Sequence, residues 1–411
     1  MGWHASDVNQ VNSMHDIYRD KGNALPPGMA EAASLFSTPA DALYLDTAAQ
    51  GPRLHAVLTA GHAALEAGTQ PWRLSFEAWE ARIEALRTLT ADTLFEGDGD
   101  GVAMVPSVAQ AMATAARNLP LQAGDAVLVL DAQFPSNLLA WQQRCDETGA
   151  RIVAVSRQAG EQWTDAVLAA LQSTPRVRVV SLPQAHWHDG ALLDLDRIAP
   201  AVHAAGAALV LDLSQSLGVL PLQLQRWQPD FVAAVGHKWL LGPTGLAWLW
   251  AGPRWRSEGV PIDQHWQARD AGDAWAFPSA AAPPYRAGAR RFDAGGVTDL
   301  SRLAMSSAAM RQVQAWGVEA IRQRLGQLTS ALDVALDAHG LSAWKTPGHA
   351  PHLTALRAPD PALLDIAWAA LQRESIICTR RAGLLRIAPH LHASERDLQR
   401  VAQVVSAAVR A

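Results

Sequence analysis

Residues 207–250 read AALVLDLSQSLGVLPLQLQRWQPDFVAAVGHKWLLGPTGLAWLW. Three apolar runs, 207–212, 231–235 and 246–250, are joined by links containing Gly, Pro and polar residues. Each run is too short for a stable helix and long enough for a buried strand. The first closes on Asp212, with Gln215 three residues on; the second leads through Gly236 and His237 to Lys238. In an open α/β sheet the carboxyl ends of the strands face one crevice. A carboxylate, an amide and an amine are therefore expected to meet there.

Further strands are expected near 127–130 (VLVL), 151–155 (RIVAV) and 177–182 (VRVVSL), with helices such as 138–148 and 194–205 between them. Short apolar runs alternating with longer amphipathic ones are the pattern of βαβ units, so the fold class is α/β with a mostly parallel sheet. From 251 to 290 the periodicity fails, and the run FPSAAAPPYRAGARR marks an irregular crossing. Residues 300–338 read as a long helix or helix pair. Strand-like segments at 352–357, 374–379 and 384–388 precede a last helix, which starts at Ser394 with the capping box S-E-R-D. A chain of 411 residues is too long for one ordinary core, and two or three domains are expected.

The composition, 49% hydrophobic and 18% charged, is that of a globular protein, and no apolar run approaches the roughly 20 residues of a membrane helix. A net charge of -5 with no basic stripe argues against nucleic acid as a partner. The start MGWHASDVNQVN lacks a secretion signal, so a cytoplasmic address is expected, and its match through Gly2 and Ser6 to a myristoylation pattern is read as accidental. The two cysteines, Cys145 and Cys378, cannot build a disulfide framework. Only three of the 34 Lys+Arg residues are lysines: Lys21, Lys238 and Lys345. A lysine kept in an apolar context where arginine is otherwise the rule suggests a need for an amine that can lose its proton.

The D-x-x-Q-S-x-G stretch at 212–218 and the G-H-K-x-x-x-G-P-T-G stretch at 236–245 resemble the class V aminotransferase family of fold-type I pyridoxal phosphate (PLP) enzymes, which includes cysteine desulfurases and kynureninases. The resemblance extends from about Leu43, in the YLDTAAQGP region, to the C-terminal helix. It implies a seven-stranded, mostly parallel sheet in a large PLP-binding domain (51–290) and a small α/β domain (291–411). An N-terminal segment (1–50) would pack with the latter. It also implies a homodimer, a PLP cofactor and an amino-acid substrate.

The residue types suit that chemistry. Lys238 supplies the primary amine that condenses with the cofactor's aldehyde. Asp212 would pair with the pyridine nitrogen and keep the ring an electron sink, although Asp at a strand end also caps helices. By resemblance, Gln215 bonds the ring hydroxyl. The turn VPSVAQAMATAARN (105–118) opens a helix whose free N–H groups can cradle phosphate, which makes Ser107, Val108 and Ala109 candidates, with His237 as a further contact. This turn departs from the Gly-Thr-Thr-Glu-like form common in the family.

Phe134, in DAQFPSN, is expected over the flat cofactor ring, as in kynureninases. His186 matches a family position beside the ring hydroxyl and the substrate. With His188 it forms a His-x-His pair, but no third ligand is evident and no metal is expected. In RRAGLLRIAPHLH, Arg386 matches the arginine that binds the substrate carboxylate, and Arg381 assists.

A desulfurase needs a nucleophilic cysteine on the loop before that arginine, whereas Cys378 falls in an apolar strand. Kynureninases carry tyrosine where His237 stands and D-L-S-H where this chain has DLSQ. An aminotransferase is the leading expectation, followed by a C–S or C–C lyase and a PLP-binding protein without turnover. The segment 290–305 resembles the one through which family dimers complete the neighbouring site, but with Gly295-Gly296 for the usual Gly-Thr. The aromatics Trp255, Trp266, Trp275, Phe277 and Tyr285 suggest an interface in 251–298.

Overall fold

A computed structural model of the chain describes residues 29, 31–39, 41–158, 160–270, 281–297 and 299–410. In chain order the strands are β1 (Leu43–Tyr44), β2 (Val102–Val105), β3 (Ala126–Leu130), β4 (Arg151–Val155), β5 (Val177–Pro183), β6 (Ala208–Asp212), β7 (Phe231–Val235), β8 (Ala247–Ala251), β9 (Thr354–Leu356), β10 (Ile376–Ile377), β11 (Thr379–Arg381) and β12 (Leu384–Ile387). Seven of them form the central sheet in the order β2-β8-β7-β6-β5-β3-β4. Only β8 runs against its neighbours.

This is the mostly parallel seven-stranded sheet of the expected α/β fold. Parallel strands are covered on both faces, and the sequence shows it by alternation within each strand. Val127 and Val129 of β3 enter one core, while Ala126, Leu128 and Leu130 enter the other. In β6 Val210 joins the first core, and Leu209 and Leu211 the second.

β9, β11 and β12 make a separate antiparallel sheet in the order β11-β12-β9, and β1 pairs in parallel with β10. The expected 374–379 strand is therefore two short strands that join different sheets. The expected helix pair is Leu300–Trp316 and Val318–Ala338, divided at Gly317, whose φ of 78° lies outside the helical range. The last helix, Glu395–Arg410, begins as expected after Ser394. The Ser394 N–H donates to Asp397 Oδ2 at 2.8 Å, and the Asp397 N–H donates to Ser394 Oγ at 3.3 Å.

β2, β3, β5, β6 and β7 run the same way, so their carboxyl ends share one edge of the sheet. The loops leaving that edge carry Ser107, Gln133, Phe134, Ser214 and Lys238. No described helix is long and apolar enough to cross a membrane.

Candidate active site

At that edge lies a cavity of about 320 Å³, lined by residues from both sheet systems. From the strand ends come Ser107, Val108, Phe134, Asp212, Gln215, His237 and Lys238, and from the small sheet come Arg381 and Arg386.

The chain around Lys238 is a tight knot of backbone. The Gly236 N–H donates to the Leu246 carbonyl at 3.0 Å and the Gly242 N–H to the Gly236 carbonyl at 2.8 Å. Against this knot packs the segment after β1. The Gly51 N–H donates to the His237 carbonyl at 2.8 Å, and a Cβ at Gly51 would stand 2.2 Å from the Lys238 carbonyl oxygen. Only glycine admits that approach.

Lys238 is 9% exposed, and burial brings its amine down to about 8, with Asp212 opposing the change and Arg386 and Arg381 reinforcing it. Its Nζ lies 5.4 Å from the centre of the Phe134 ring. Burial raises the Asp212 carboxyl above the usual carboxylate range, against the bond from the Ser214 N–H to Oδ1 (3.1 Å) and the Lys238 charge. His237 falls to about 4 through burial, Lys238 and Arg53.

Arg386 occupies the centre of β12, opposite Thr379 on one side and Ala355 on the other. Its Nη2 donates to Asp46 Oδ1 at 2.9 Å and its Nη1 to the Trp187 carbonyl at 3.1 Å. Its Nε is buried without a protein partner. Arg381 pairs with Leu384 at the tip of the β11–β12 hairpin, whose two turn residues, Ala382 and Gly383, have φ of 41° and 79°. The pattern R-A-G-L fits a two-residue turn with both central residues left-handed, and it sets Arg381 at the cavity wall.

Two expected residues are not brought there. Ala109 is exposed on the helix Val108–Asn118, while Ser107 and Val108 at its start line the cavity. His186 is not among the lining residues; its Nδ1 lies 3.0 Å from Asp189 Oδ1 and its Nε2 is buried without a protein partner, while Ala185 and Trp187 line the wall. His188 lies with Nε2 3.3 Å from the Arg381 carbonyl.

Asp46, Gln133 and Trp187 were not singled out in the sequence. The signals for them are weak: an acidic residue after β1, a glutamine beside Phe134, and a tryptophan between two histidines.

The wall suits a flat, anionic, hydrogen-bonding guest. It joins a helix start, a buried carboxylate, an amine that loses its proton near neutrality and two guanidinium groups. Two of its buried nitrogens, Gln133 Nε2 and Arg386 Nε, have no partner among protein atoms, and buried polar groups left so are costly. These are the features that PLP and an amino-acid carboxylate would satisfy.

Known proteins agree with this reading. The chain is 27% identical over 342 residues to the uncharacterized aminotransferase YcbU of Bacillus subtilis (strain 168), a match covering 82% of this chain and 85% of that one. It is 28% identical over 227 residues to the cysteine desulfurase CsdA of Escherichia coli (strain K12), covering 54% of this chain and 55% of that protein. A solved structure of C-DES with glycine covalently linked to its PLP cofactor superposes with a TM-score of 0.79 at 20% identity, over 91% of this chain and 98% of that one. At that identity the likeness speaks for the fold alone.

The sequence profile of the class V aminotransferases matches residues 43–378. With most of its length so matched, on a fold-type I sheet, the chain belongs to the class V aminotransferase family and takes pyridoxal 5'-phosphate as its cofactor.

Proposed function

We propose that the chain is an aminotransferase acting on an amino acid, with Lys238 as the residue that carries the cofactor and moves the substrate's α-proton. The observation behind this reading is that, among the described residues lining the cavity, Lys238 is the one base poised near neutrality, at about 8. His237, at about 4, is a far weaker base. Bound PLP supplies an electron-withdrawing ring that weakens bonds at the amino acid's α-carbon.

The protein's part is to hold and to aim. Ser107, Val108 and His237 receive the phosphate end, and Phe134 flanks the ring. Asp212 gives the ring nitrogen a counter-charge, and Gln215 reaches the ring hydroxyl. Arg386, with Arg381, receives the substrate carboxylate. A single base serves a proton that leaves and returns on one side, as transamination requires; epimerisation through two bases would need a second.

β-Elimination, as in a C–S lyase, is the second reading, and the placement of the cysteines favours it over desulfuration. Neither Cys145 nor Cys378 lines the cavity, and burial, with Asp46, pushes the Cys378 thiol up to about 12. Incubation with a panel of amino acids, with and without an oxo-acid acceptor, separates the readings. A transaminase yields one oxo acid per site without acceptor and many with it. Catalytic release of ammonia without acceptor would overturn the aminotransferase reading in favour of elimination, and alanine release from kynurenine would indicate C–C cleavage. Retained cofactor without any turnover would mark a degenerate protein.

We also take 51–290 and 291–411 as two domains, with 1–50 attached to the smaller; within 1–50, residues 1–28, 30 and 40 lie outside the described ones, and the β1–β10 pairing supports the attachment. A homodimer is proposed with its interface in the irregular crossing. Trp266 there is 39% exposed and rests on Phe76 and Trp79. Trp255 does not belong to such a surface. It is buried against Phe231 and donates through Nε1 to Asp230 at 2.8 Å. Trp275 and Phe277 lie outside the described residues. Light scattering should report twice the 44.0 kDa chain mass, and a fully active monomer would refute a shared site.

A further inference from the structure

We propose that Trp239 is a positioning residue that locks the amide of Gln215 so that an N–H, and not the carbonyl oxygen, faces the cofactor cavity. This rests on the reading that Gln215 meets the ring oxygen of the cofactor.

An amide side chain has an acceptor end and a donor end of nearly the same shape, so its neighbours decide which way it points. Here both neighbours are one-way groups. An indole N–H can only donate, and Trp239 Nε1 lies 2.9 Å from Gln215 Oε1. A carbonyl can only accept, and the Ala48 oxygen lies 2.9 Å from Gln215 Nε2. Reversing the amide would set donor against donor at Trp239 and acceptor against acceptor at Ala48. One Nε2 hydrogen is committed to Ala48, and the other is left for the cavity that Gln215 lines.

Trp239 is itself held firmly. It is 1% exposed, its ring meets the His352 ring edge-on at 4.5 Å between centroids, and it stacks at 6.0 Å on His390. His352 also donates through Nε2 to the backbone carbonyl of Gln215, so one histidine braces both partners of the amide bond. Burial takes His352 and His390 down to about 3. Both stay neutral across the working range, and the brace does not loosen with pH there. The titratable and charged groups that share the cavity with Gln215, namely Asp212, His237, Lys238, Arg381 and Arg386, are the same in every variant below.

A donor at the ring oxygen draws negative charge away from the cofactor and so weakens the hold on the proton of the lysine–cofactor linkage. Without that donor the pH midpoint of the holoenzyme's visible band should rise. For Gln215→Leu the expected rise is about one pH unit, the size of a hydrogen bond to a charged group. Trp239→Phe keeps an aromatic ring beside His352 and His390 and removes the N–H together with part of the indole's volume. The Ala48 carbonyl still holds Nε2 in this variant, so the rise should be smaller than that of Gln215→Leu, with PLP still bound, and the double variant should move the midpoint no further than Gln215→Leu alone.

Gln215→Glu provides the case that does not depend on Trp239→Phe folding. A carboxylate can still accept from Trp239, yet it presents an acceptor to the cavity, so the midpoint should rise beyond that of Gln215→Leu. An unmoved midpoint in Trp239→Phe beside a shifted one in Gln215→Leu would overturn the lock while leaving Gln215 at the ring oxygen. Unmoved midpoints in all the variants would overturn the lock and that reading of Gln215 together.

Discussion

Two arginine–aspartate pairs, Arg87 with Asp293 and Arg386 with Asp46, differ in how completely they are closed. Arg87, on helix Phe76–Leu94, gives Nη2 to Asp293 at 2.6 Å, Nη1 to the Val102 carbonyl at 2.6 Å, and Nε to Glu84 at 3.2 Å. Burial alone would lower its pKa, but Asp293 and Glu84 outweigh that, and the group ends above the ordinary value. Arg386 is almost as buried, yet its Nε has no protein partner, and burial outweighs Asp46, so its pKa is lowered. A guanidinium whose donors are all spoken for ties segments together. One with a donor in reserve on a cavity wall is kept for an incoming anion.

The comparison can be broken most sharply at the closed pair. Arg87→Met leaves Asp293 buried without its cation and should cost about 3–5 kcal/mol of stability, read as a large fall in the denaturant midpoint. Turnover per folded, cofactor-bound molecule should remain that of the wild type. If Arg87→Met instead lost activity at full stability, the division between the two arginines would be wrong. Arg386→Ala should show the reverse, with kcat/KM down about 100-fold, the equivalent of about 3 kcal/mol of charge-assisted hydrogen bonding, and a small change in melting temperature. Saturation with amino acid unaltered in this variant would place the carboxylate elsewhere.

Asp46 sharpens the open pair. Because its charge helps to keep the Lys238 amine protonated, Asp46→Asn should lower the amine's pKa further. The amine must be unprotonated to capture cofactor, so capture by the apoenzyme should rise with pH around a midpoint near 8 in the wild type. In Asp46→Asn the midpoint should move to lower pH, and stopped-flow absorbance would show a shift the other way if the sign were wrong. The smallest effect is expected from Cys378→Ala, with turnover within a few-fold, since its thiol at about 12 holds no thiolate at neutral pH. A loss of orders of magnitude with folding intact would bring back thiol attack.

What could be read from sequence follows from the range of the interactions. Asp212, Gln215 and Lys238 were legible because a strand end and the loop after it fix a side chain locally, and the period-2 burial of β3 and β6 made the sheet legible for the same reason. Asp46 was not, because its partner Arg386 lies 340 positions away, and nothing local in YLDTAAQGP announces it. His186 failed in a different way. Its ring is held by Asp189, which also pairs with Arg157, and the neighbours Ala185 and Trp187 are the residues that line the cavity. The single 374–379 strand split because Ile376–Ile377 were claimed by β1 and Thr379–Arg381 by β12.

The histidines behind Trp239 have a consequence for handling the protein in acid. His352 and His390 titrate at about 3 in the folded chain, against 6.5 for an ordinary imidazole. Between those values the unfolded chain takes up two protons that the native chain refuses, so stability is complete above 6.5 and is withdrawn as pH falls toward 3. Both rings stand behind the wall that holds Gln215, so the floor of the cofactor cavity is where this acid sensitivity is expected to show first. Mild acid dialysis should therefore release pyridoxal phosphate before the sheet melts, giving a route to colourless apoprotein that refolds its floor, and recovers its colour, on return to neutral buffer with added cofactor.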